Sequence, residues 1–144
     1  MPRPQIALAL LIVASIAAPG CARNKNLPTQ LAPSRMTTIG VNGYLWKAAV
    51  DTVSFAPLLQ ADASSGVIIT DWYANPKAPG ERVKLTVSVL DQDLRADALR
   101  VAASRQVNQN GAWIDAPVSA ATVQKLEDII LTRARDLRRA SVRG

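Results

Sequence analysis

The chain has 144 residues, a net charge of +6, 49% hydrophobic residues, one cysteine and no histidine. Without histidine the commonest general base is missing, a Ser-His-Asp or Cys-His arrangement cannot be built, and a zinc site has no imidazole ligand. No glycine-rich phosphate-binding motif is present in the sequence either. We therefore expect a protein that is not an enzyme and that holds no metal or other cofactor.

The first twenty residues predict a secretory leader. Arg3 and the amino terminus supply a positive start, and residues 6–18 form an apolar run that is interrupted only by Ser15. As a helix this run covers about 20 Å of a hydrocarbon core that is about 30 Å thick, so it is too short to span a membrane. Its length is typical of the apolar part of a signal peptide, which we assign to residues 1–20.

Cys21 follows the leader directly, in the sequence Ala18-Pro19-Gly20-Cys21. These residues resemble the lipobox of bacterial lipoproteins, although Ala18 stands where the lipobox usually has leucine. The resemblance implies that Cys21 is the lipidation site, which carries covalent lipid and anchors the mature protein in a membrane. Because Ala22 rather than aspartate follows, the resemblance favours the periplasmic face of the outer membrane over the inner membrane. The alternative is an ordinary secretory signal beside an incidental cysteine.

Residues 22–38 are rich in Pro, Asn, Thr and Arg and have no apolar period, which predicts a flexible tether after Cys21. A single folded domain is predicted over residues 39–142. Because Arg3 is the one basic residue of the leader, 16 of the 17 basic residues remain against 11 acidic ones. The resulting balance of +5 suits an anionic partner.

The domain is expected to open with a helix for which Asn42 is a suitable N-cap. Apolar residues recur at the spacing of one helix face, namely Leu45, Trp46, Ala49, Val50 and Val53. Pro57 is expected to end or kink this helix. Trp46 is interpreted either as a packing residue of the apolar face or as an exposed anchor for a partner.

The segment that leads into this helix, residues 39–44, is the predicted contact site for a protein partner. Its apolar side chains are expected to be exposed, and two glycines among them permit close approach by another backbone. The predicted partner-binding residues are Ile39, Val41, Tyr44 and Trp46. The alternative is that Ile39 and Val41 simply fold back onto the sheet.

The middle of the chain predicts an antiparallel sheet of three or four strands. Extended segments with β-branched residues or alternating polarity lie at residues 58–61, 66–73, 82–92, 99–107 and 113–115. Within the second of these, Ile68, Thr70 and Trp72 are expected on one face. Residues 75–80 are expected to form a loop. Asn110-Gly111 predicts a tight hairpin turn.

Ser119 is predicted to cap a last helix that ends near Arg139. Its apolar stripe consists of Val123, Leu126, Ile130, Ala134 and Leu137. Its polar face ends in a cluster of basic residues, Arg133, Arg135, Arg138 and Arg139. This cluster is either a solvated helix end that complements the helix dipole or a docking patch for an anion.

The candidate residues for acid–base chemistry are carboxylates: Asp91, Asp93, Asp115, Glu127 and Asp128. The first two lie in an apparent turn, and the last two lie on the polar side of the last helix. We interpret them as solvated charges. An envelope hydrolase that uses them is the third functional possibility.

The order helix, strands, helix predicts a small α+β domain whose antiparallel sheet is covered on one face by two amphipathic helices. The stretches IGVNGYLW, SGVIITDWY, LRAD and LEDIILTRAR resemble an alphaproteobacterial lipoprotein family of unknown function over residues 36–140. The helix with an early tryptophan, followed by a turn and a Gly-Val-Ile strand, is also distantly similar to the domains of BamC. BamC and the shorter BamF are accessory lipoproteins of the outer-membrane β-barrel assembly machinery.

These resemblances imply a lipid-anchored, non-enzymatic envelope protein that acts as a protein-interaction module, an accessory subunit in outer-membrane protein assembly. Its expected partners are envelope proteins, in particular barrel-assembly subunits, and we expect neither nucleic acid nor a small-molecule substrate. The alternative is a binding module for anionic envelope lipid or lipopolysaccharide. The balance of +5 and the arginine cluster favour that alternative.

Overall fold

The computed structural model describes residues 40–143, so the predicted leader, Cys21, the tether and Ile39 lie outside the described residues. The elements in chain order are α1 (Gly43–Val53), β1 (Leu58–Asp62), β2 (Val67–Thr70), β3 (Tyr73–Asn75), β4 (Ala78–Val89), a 3-10 turn (Ala96–Ala98), β5 (Leu99–Gln109), β6 (Ala112–Ala116) and α2 (Ala120–Ala140). Neither α-helix in this part of the chain is long and apolar enough to cross a membrane.

The strands form one antiparallel sheet in the order β1-β2-β4-β5-β6, and β3 pairs with β4 on the side of β2. Both helices pack on the same face of this sheet. This confirms the predicted α+β class and the order helix, strands, helix. The sheet has six strands rather than three or four, because the predicted strand over residues 66–73 is two strands and the short outer segments both join the sheet.

The core lies between the helices and the inner face of the sheet. Its largest fully buried hydrophobic side chains are Leu45 of α1, Ile68 of β2 and Ile130 of α2. Burying a side chain of this size stabilises a fold by about 1.5–3 kcal/mol. The predicted apolar stripe of α2 is confirmed, since Ile130 and Ala134 are fully buried and the other three members pack against the core.

The helices α1 and α2 run antiparallel and differ in length. The hydroxyl oxygens of Tyr44 and Ser141 are 3.2 Å apart at one end, and Nη1 of Arg133 donates to Oγ1 of Thr52 at 3.4 Å near the other. α1 has 11 residues and α2 has 21. The first part of α2, residues 120–132, therefore extends beyond the end of α1 for about 20 Å.

α1 ends before Pro57, the residue that was predicted to end or kink it. Its last residue is Val53, and Pro57 lies beyond it, next to the start of β1. The hydroxyl of Ser54 donates to the carbonyl of Asp51 at 2.9 Å, which satisfies one of the carbonyls left free at the helix end. Pro57 instead supports the sheet, because its carbonyl accepts the N–H of Asp71 at 2.7 Å.

The predicted strand over residues 66–73 is interrupted after Thr70. Oγ1 of Thr70 accepts the N–H of Leu85 at 2.9 Å. This side-chain bond to β4 lies between the stretch of β4 that pairs with β2 and the stretch that pairs with β3. The interruption shifts the alternation by one residue. Trp72 therefore lies on the helix-free face, against Arg82, and not on the face of Ile68 where it was predicted.

The predicted loop over residues 75–80 is largely strand, since β4 already begins at Ala78. Pro79 and Gly80 precede the first residue of β4 that pairs with β5, so the missing N–H of Pro79 removes no bond of that ladder. The hairpin prediction is confirmed. Asn110 and Gly111 have φ of 54° and 89° and join β5 to β6, as an Asn-Gly hairpin turn requires.

The turn between β1 and β2 brings the chain close to the core. The carboxylate of Asp62 accepts hydrogen bonds from Ser64 and Ser65, which lower its pKa to about 2. Gly66 follows with φ of 74°, and its carbonyl accepts the N–H of Val89 at 2.8 Å. A positive φ at this point is the reason for a glycine.

The helix α2 also covers an open edge of the sheet. β6 pairs only with the second half of β5, so the edge of the first half of β5 has no strand beside it. Oε1 of Glu127 accepts the N–H of Val101 at 2.9 Å and takes the place of that strand. The prediction of a solvated charge was therefore wrong for Glu127, whereas Asp128 is exposed as expected.

Candidate interaction surfaces

The segment that was predicted to contact a partner is fixed to the domain by Asn42. Its Oδ1 accepts the N–H of Tyr44 at 3.1 Å and of Leu45 at 3.0 Å, which confirms the predicted N-cap. Its Nδ2 donates to the carbonyl of Gln92 at 2.8 Å, and its own N–H donates to the carbonyl of Asp91 at 3.0 Å. Asn42 is fully buried, so this segment is a structural part of the domain.

The expected exposure of Val41 and Tyr44 was wrong, since they are only 5% and 7% exposed. Val41 packs into the core beside Gly66, and the Tyr44 hydroxyl reaches the end of α2. Trp46 is half-buried and packs against the core, which agrees with its interpretation as a packing residue. Ile39 lies outside the described residues. A partner contact at these positions stays a prediction.

The four predicted docking arginines do not form one patch. Successive residues of a helix are about 100° apart, so Arg135 and Arg139 share one side of α2, whereas Arg133 lies about 160° away from Arg135. Arg133 faces α1 and bonds Thr52. Arg139 forms an ion pair with Asp136, and Arg138 is half-buried. Arg138, three residues after Arg135, lies about 60° from it, so three of the four arginines share one side of the helix end. One of these three is ion-paired and one is half-buried, which weakens the anion-docking hypothesis there.

The candidate catalytic carboxylates are also dispersed. Oδ1 of Asp91 accepts the N–H of Gln92 at 2.6 Å and of Asp93 at 3.3 Å, so this pair belongs to the turn after β4 as predicted. Among residues 40–143, no group of three or more Cys, His, Asp or Glu side chains is placed to hold a metal ion.

An apolar cleft of about 510 Å³ lies where α1 stops beside the first half of α2. The inner face of β4 and β5 forms its floor, and Phe55, two residues beyond the end of α1, and the start of α2 form its walls. The apolar lining consists of Phe55, Val83, Leu85, Ala103, Pro117, Val118 and Leu126. Phe55 is 48% exposed, and its ring meets the Tyr73 ring edge-on with the centroids 5.1 Å apart.

The cleft has a polar rim. Arg105 donates to both carboxylate oxygens of Glu81, at 2.7 and 3.2 Å, across the pairing of β4 and β5. This contact lowers the pKa of Glu81 and raises the pKa of Arg105. Both side chains are partly exposed, so solvent screens the pair. Ser119 and Thr122 complete the rim at the start of α2.

On the helix-free face of the sheet, Arg82 contacts two tryptophan rings. Its guanidinium carbon lies 4.7 Å from the centroid of Trp72 and 4.3 Å from the centroid of Trp113. Nε and Nη2 of Arg82 donate to Oε1 of Gln106 at 2.8 and 2.6 Å, and Nε2 of Gln106 donates to Asp115 at 2.7 Å. These contacts hold the guanidinium plane in a fixed orientation.

Sequence reasoning found neither the cleft nor this cluster. The cleft follows from the alignment of two helices of different length, and no local pattern records that alignment. The cluster follows from the interruption after Thr70, which moves Trp72 to the opposite face.

The described residues thus define an α+β domain with two helices on one face of an antiparallel sheet. It has two candidate interaction surfaces, the apolar cleft and the cluster of Arg82 with two tryptophans. Residues 39–139 match the family model described as "Domain of unknown function (DUF3576)", and the chain belongs to this family. It is similar to "Uncharacterized protein RP420" of Rickettsia prowazekii (strain Madrid E), with 37% identity over 103 residues. The match covers 72% of this chain and 62% of that relative. The expected alphaproteobacterial family of unknown function is therefore confirmed.

Proposed function

We propose that the protein is a lipid-anchored, non-enzymatic envelope protein that acts as a protein-interaction module. The apolar cleft beside the first half of α2 is the observation that carries this proposal. It exposes Phe55 and offers a floor and walls of apolar side chains on the helix side of the sheet. Covering such surface releases about 25 cal/mol for each Å² of apolar area removed from water.

The occupant that fits the cleft is an apolar helix of a partner protein. α2 extends about 20 Å beyond α1, and a helix of about 13 residues has that length. Lying in line with α1, such a helix would cover Leu126 and the inner face of β4 and β5 as α1 covers the rest of the sheet. Binding would follow the general mode in which the apolar face of a helix enters a groove.

We further propose that the partner belongs to the outer-membrane β-barrel assembly machinery and that the protein is an accessory subunit of it. The distant similarity to BamC and BamF supports this assignment, together with the shared order helix, sheet, helix. The support is an analogy of fold and of one short motif. The partner must therefore be identified directly, by a crosslink from the cleft.

Thr122→Arg is expected to weaken partner binding at least tenfold, because it places a charge in the rim of the apolar cleft. Gln124→Arg is the matched control, since residue 124 is also exposed on α2, carries the same charge change and does not line the cleft. The measurement is photo-crosslinking in cells from a probe at residue 118, with the adducts identified by mass spectrometry. Equal loss of adducts in both variants would contradict partner binding in the cleft. Adducts that contain no barrel-assembly subunit would contradict the assignment of the partner.

The membrane anchor is proposed to be lipid on Cys21, at the periplasmic face of the outer membrane. Wild-type protein is expected to incorporate labelled palmitate and to fractionate with membranes, whereas Cys21→Ser is expected to take up no label. The readouts are radiolabel incorporation and membrane fractionation. Unlabelled wild-type protein, or equal labelling of the variant, would show that the anchor assignment is wrong.

A further inference from the structure

We propose that the helix-free face of the sheet binds an anionic lipid surface, with Arg82, Lys84 and Arg100 contacting phosphates and Trp72 and Trp113 anchoring the face at the head groups. This inference does not rest on the proposed protein-binding cleft, because the cleft lies on the opposite side of the sheet.

The charge of this face carries the first step. On the two long central strands, every charged side chain that alternates outward is basic: Arg82 and Lys84 of β4 and Arg100 of β5. The outward acids Asp62 and Asp115 lie on the edge strands β1 and β6 and accept hydrogen bonds from neighbouring side chains. The middle of the face is therefore complementary to a negatively charged surface.

The spacing of the basic residues favours a lipid surface over a single anion. Arg100 lies opposite Ser88, and Arg82 lies six positions further along β4. With a rise of about 3.3 Å per strand residue, the outer two basic residues are about 20 Å apart, and Lys84 lies between them. One phosphate group cannot contact both ends. A layer of anionic head groups offers a phosphate to each.

The tryptophans fit the same partner. Indole rings prefer the boundary between head groups and hydrocarbon, because they combine an apolar body with one polar N–H. Trp72 and Trp113 are both half-buried against Arg82. The contacts with Gln106 use Nε and Nη2 of the guanidinium, so its Nη1 can donate to a phosphate oxygen.

The test uses residues 21–144 with Cys21→Ser, which removes both leader and acyl anchor; the hydrophobic core lies within residues 41–137, so the domain is complete. This protein is expected to sediment with vesicles of phosphatidylglycerol and phosphatidylcholine, less so as salt is added, and not with phosphatidylcholine alone. Lys84→Ala and Arg100→Ala should each weaken binding about fivefold, the effect of one basic residue near an anionic membrane. Arg135→Ala, an exposed arginine on α2, is the matched control and should bind normally.

Tryptophan emission supplies a second readout. Vesicles should shift the emission to shorter wavelength in Trp46→Phe, which keeps both tryptophans of the helix-free face. The shift should be smaller in Trp113→Phe, because there only Trp72 remains on that face and the emission of Trp46, on the helix side, is unaffected. Thr122→Arg should bind vesicles normally, which separates this inference from the cleft. Absent binding to the anionic vesicles, equal binding to both vesicle types, or a loss in Arg135→Ala alone would overturn the proposal. Binding to polyglutamate but not to vesicles would also overturn it, in favour of an acidic protein partner.

Discussion

Gly66→Ala is expected to lower the free energy of unfolding by about 2–5 kcal/mol. A β-carbon at this position would lie 2.3 Å from the carbonyl oxygen of Val89 and 2.7 Å from Cγ1 of Val41, inside the core. The φ of 74° adds a backbone cost of about 1–2 kcal/mol for any residue with a β-carbon. Overpacking of the core adds about 1–3 kcal/mol. Urea unfolding followed by circular dichroism measures the difference.

Two other glycines separate these contributions. Gly111 has φ of 89° but nothing within 4 Å of an added β-carbon, so Gly111→Ala should cost only the backbone term of about 1–2 kcal/mol. Gly80 has neither a positive φ nor a neighbour within 4 Å, and Gly80→Ala should change stability by less than about 0.5 kcal/mol. If Gly66→Ala were no more destabilising than Gly80→Ala, the close packing of the β1–β2 turn on the core would be wrong.

Asn42→Ala is expected to destabilise the domain by about 2–5 kcal/mol. The substitution removes the N-cap of α1, which is worth about 1–2 kcal/mol. It also removes the Nδ2 donor from the carbonyl of Gln92 at a fully buried position, which costs about 1–3 kcal/mol. The same unfolding measurement applies.

Asn42→Ser is the informative companion variant. A serine hydroxyl can still accept the N–H groups at the start of α1, but it is too short to replace the bond to Gln92. We therefore expect it to recover about half of the loss. Equal stability of Asn42→Ala and wild type would mean that the Asn42 side chain neither caps α1 nor helps to hold the segment before it to the turn after β4.

Local patterns predicted the parts of the fold that local chemistry decides. The apolar spacing of Val123 to Leu137 located α2 within a residue or two, and Asn110-Gly111 located the hairpin turn. Ser119 was correctly placed as the residue before α2, although its side chain makes no capping bond. The alternation of β4 identified its inner face.

The features that were not predicted depend on contacts between distant segments. The break after Thr70 exists because its hydroxyl bonds Leu85, which is 15 residues away in the chain. Glu127 of α2 accepts a hydrogen bond from the open edge of β5, and the β5–β6 hairpin lies between the two in sequence. Val41 is buried only because Gly66 lets the β1–β2 turn approach it. The cleft likewise forms between the end of α1 and the start of α2, which are far apart in the sequence.

The pairing of the first helix with the last has a consequence for how the domain folds. Tyr44 and Ser141 touch across 97 positions of sequence, and the buried face of α1 is completed by Ile130 and Ala134 of α2. Contacts of such long range slow folding, because the loop that they close must be ordered before they form. During synthesis, α1 and the sheet therefore keep an apolar surface open until α2 has emerged. We expect a chain that ends before α2 to aggregate rather than fold.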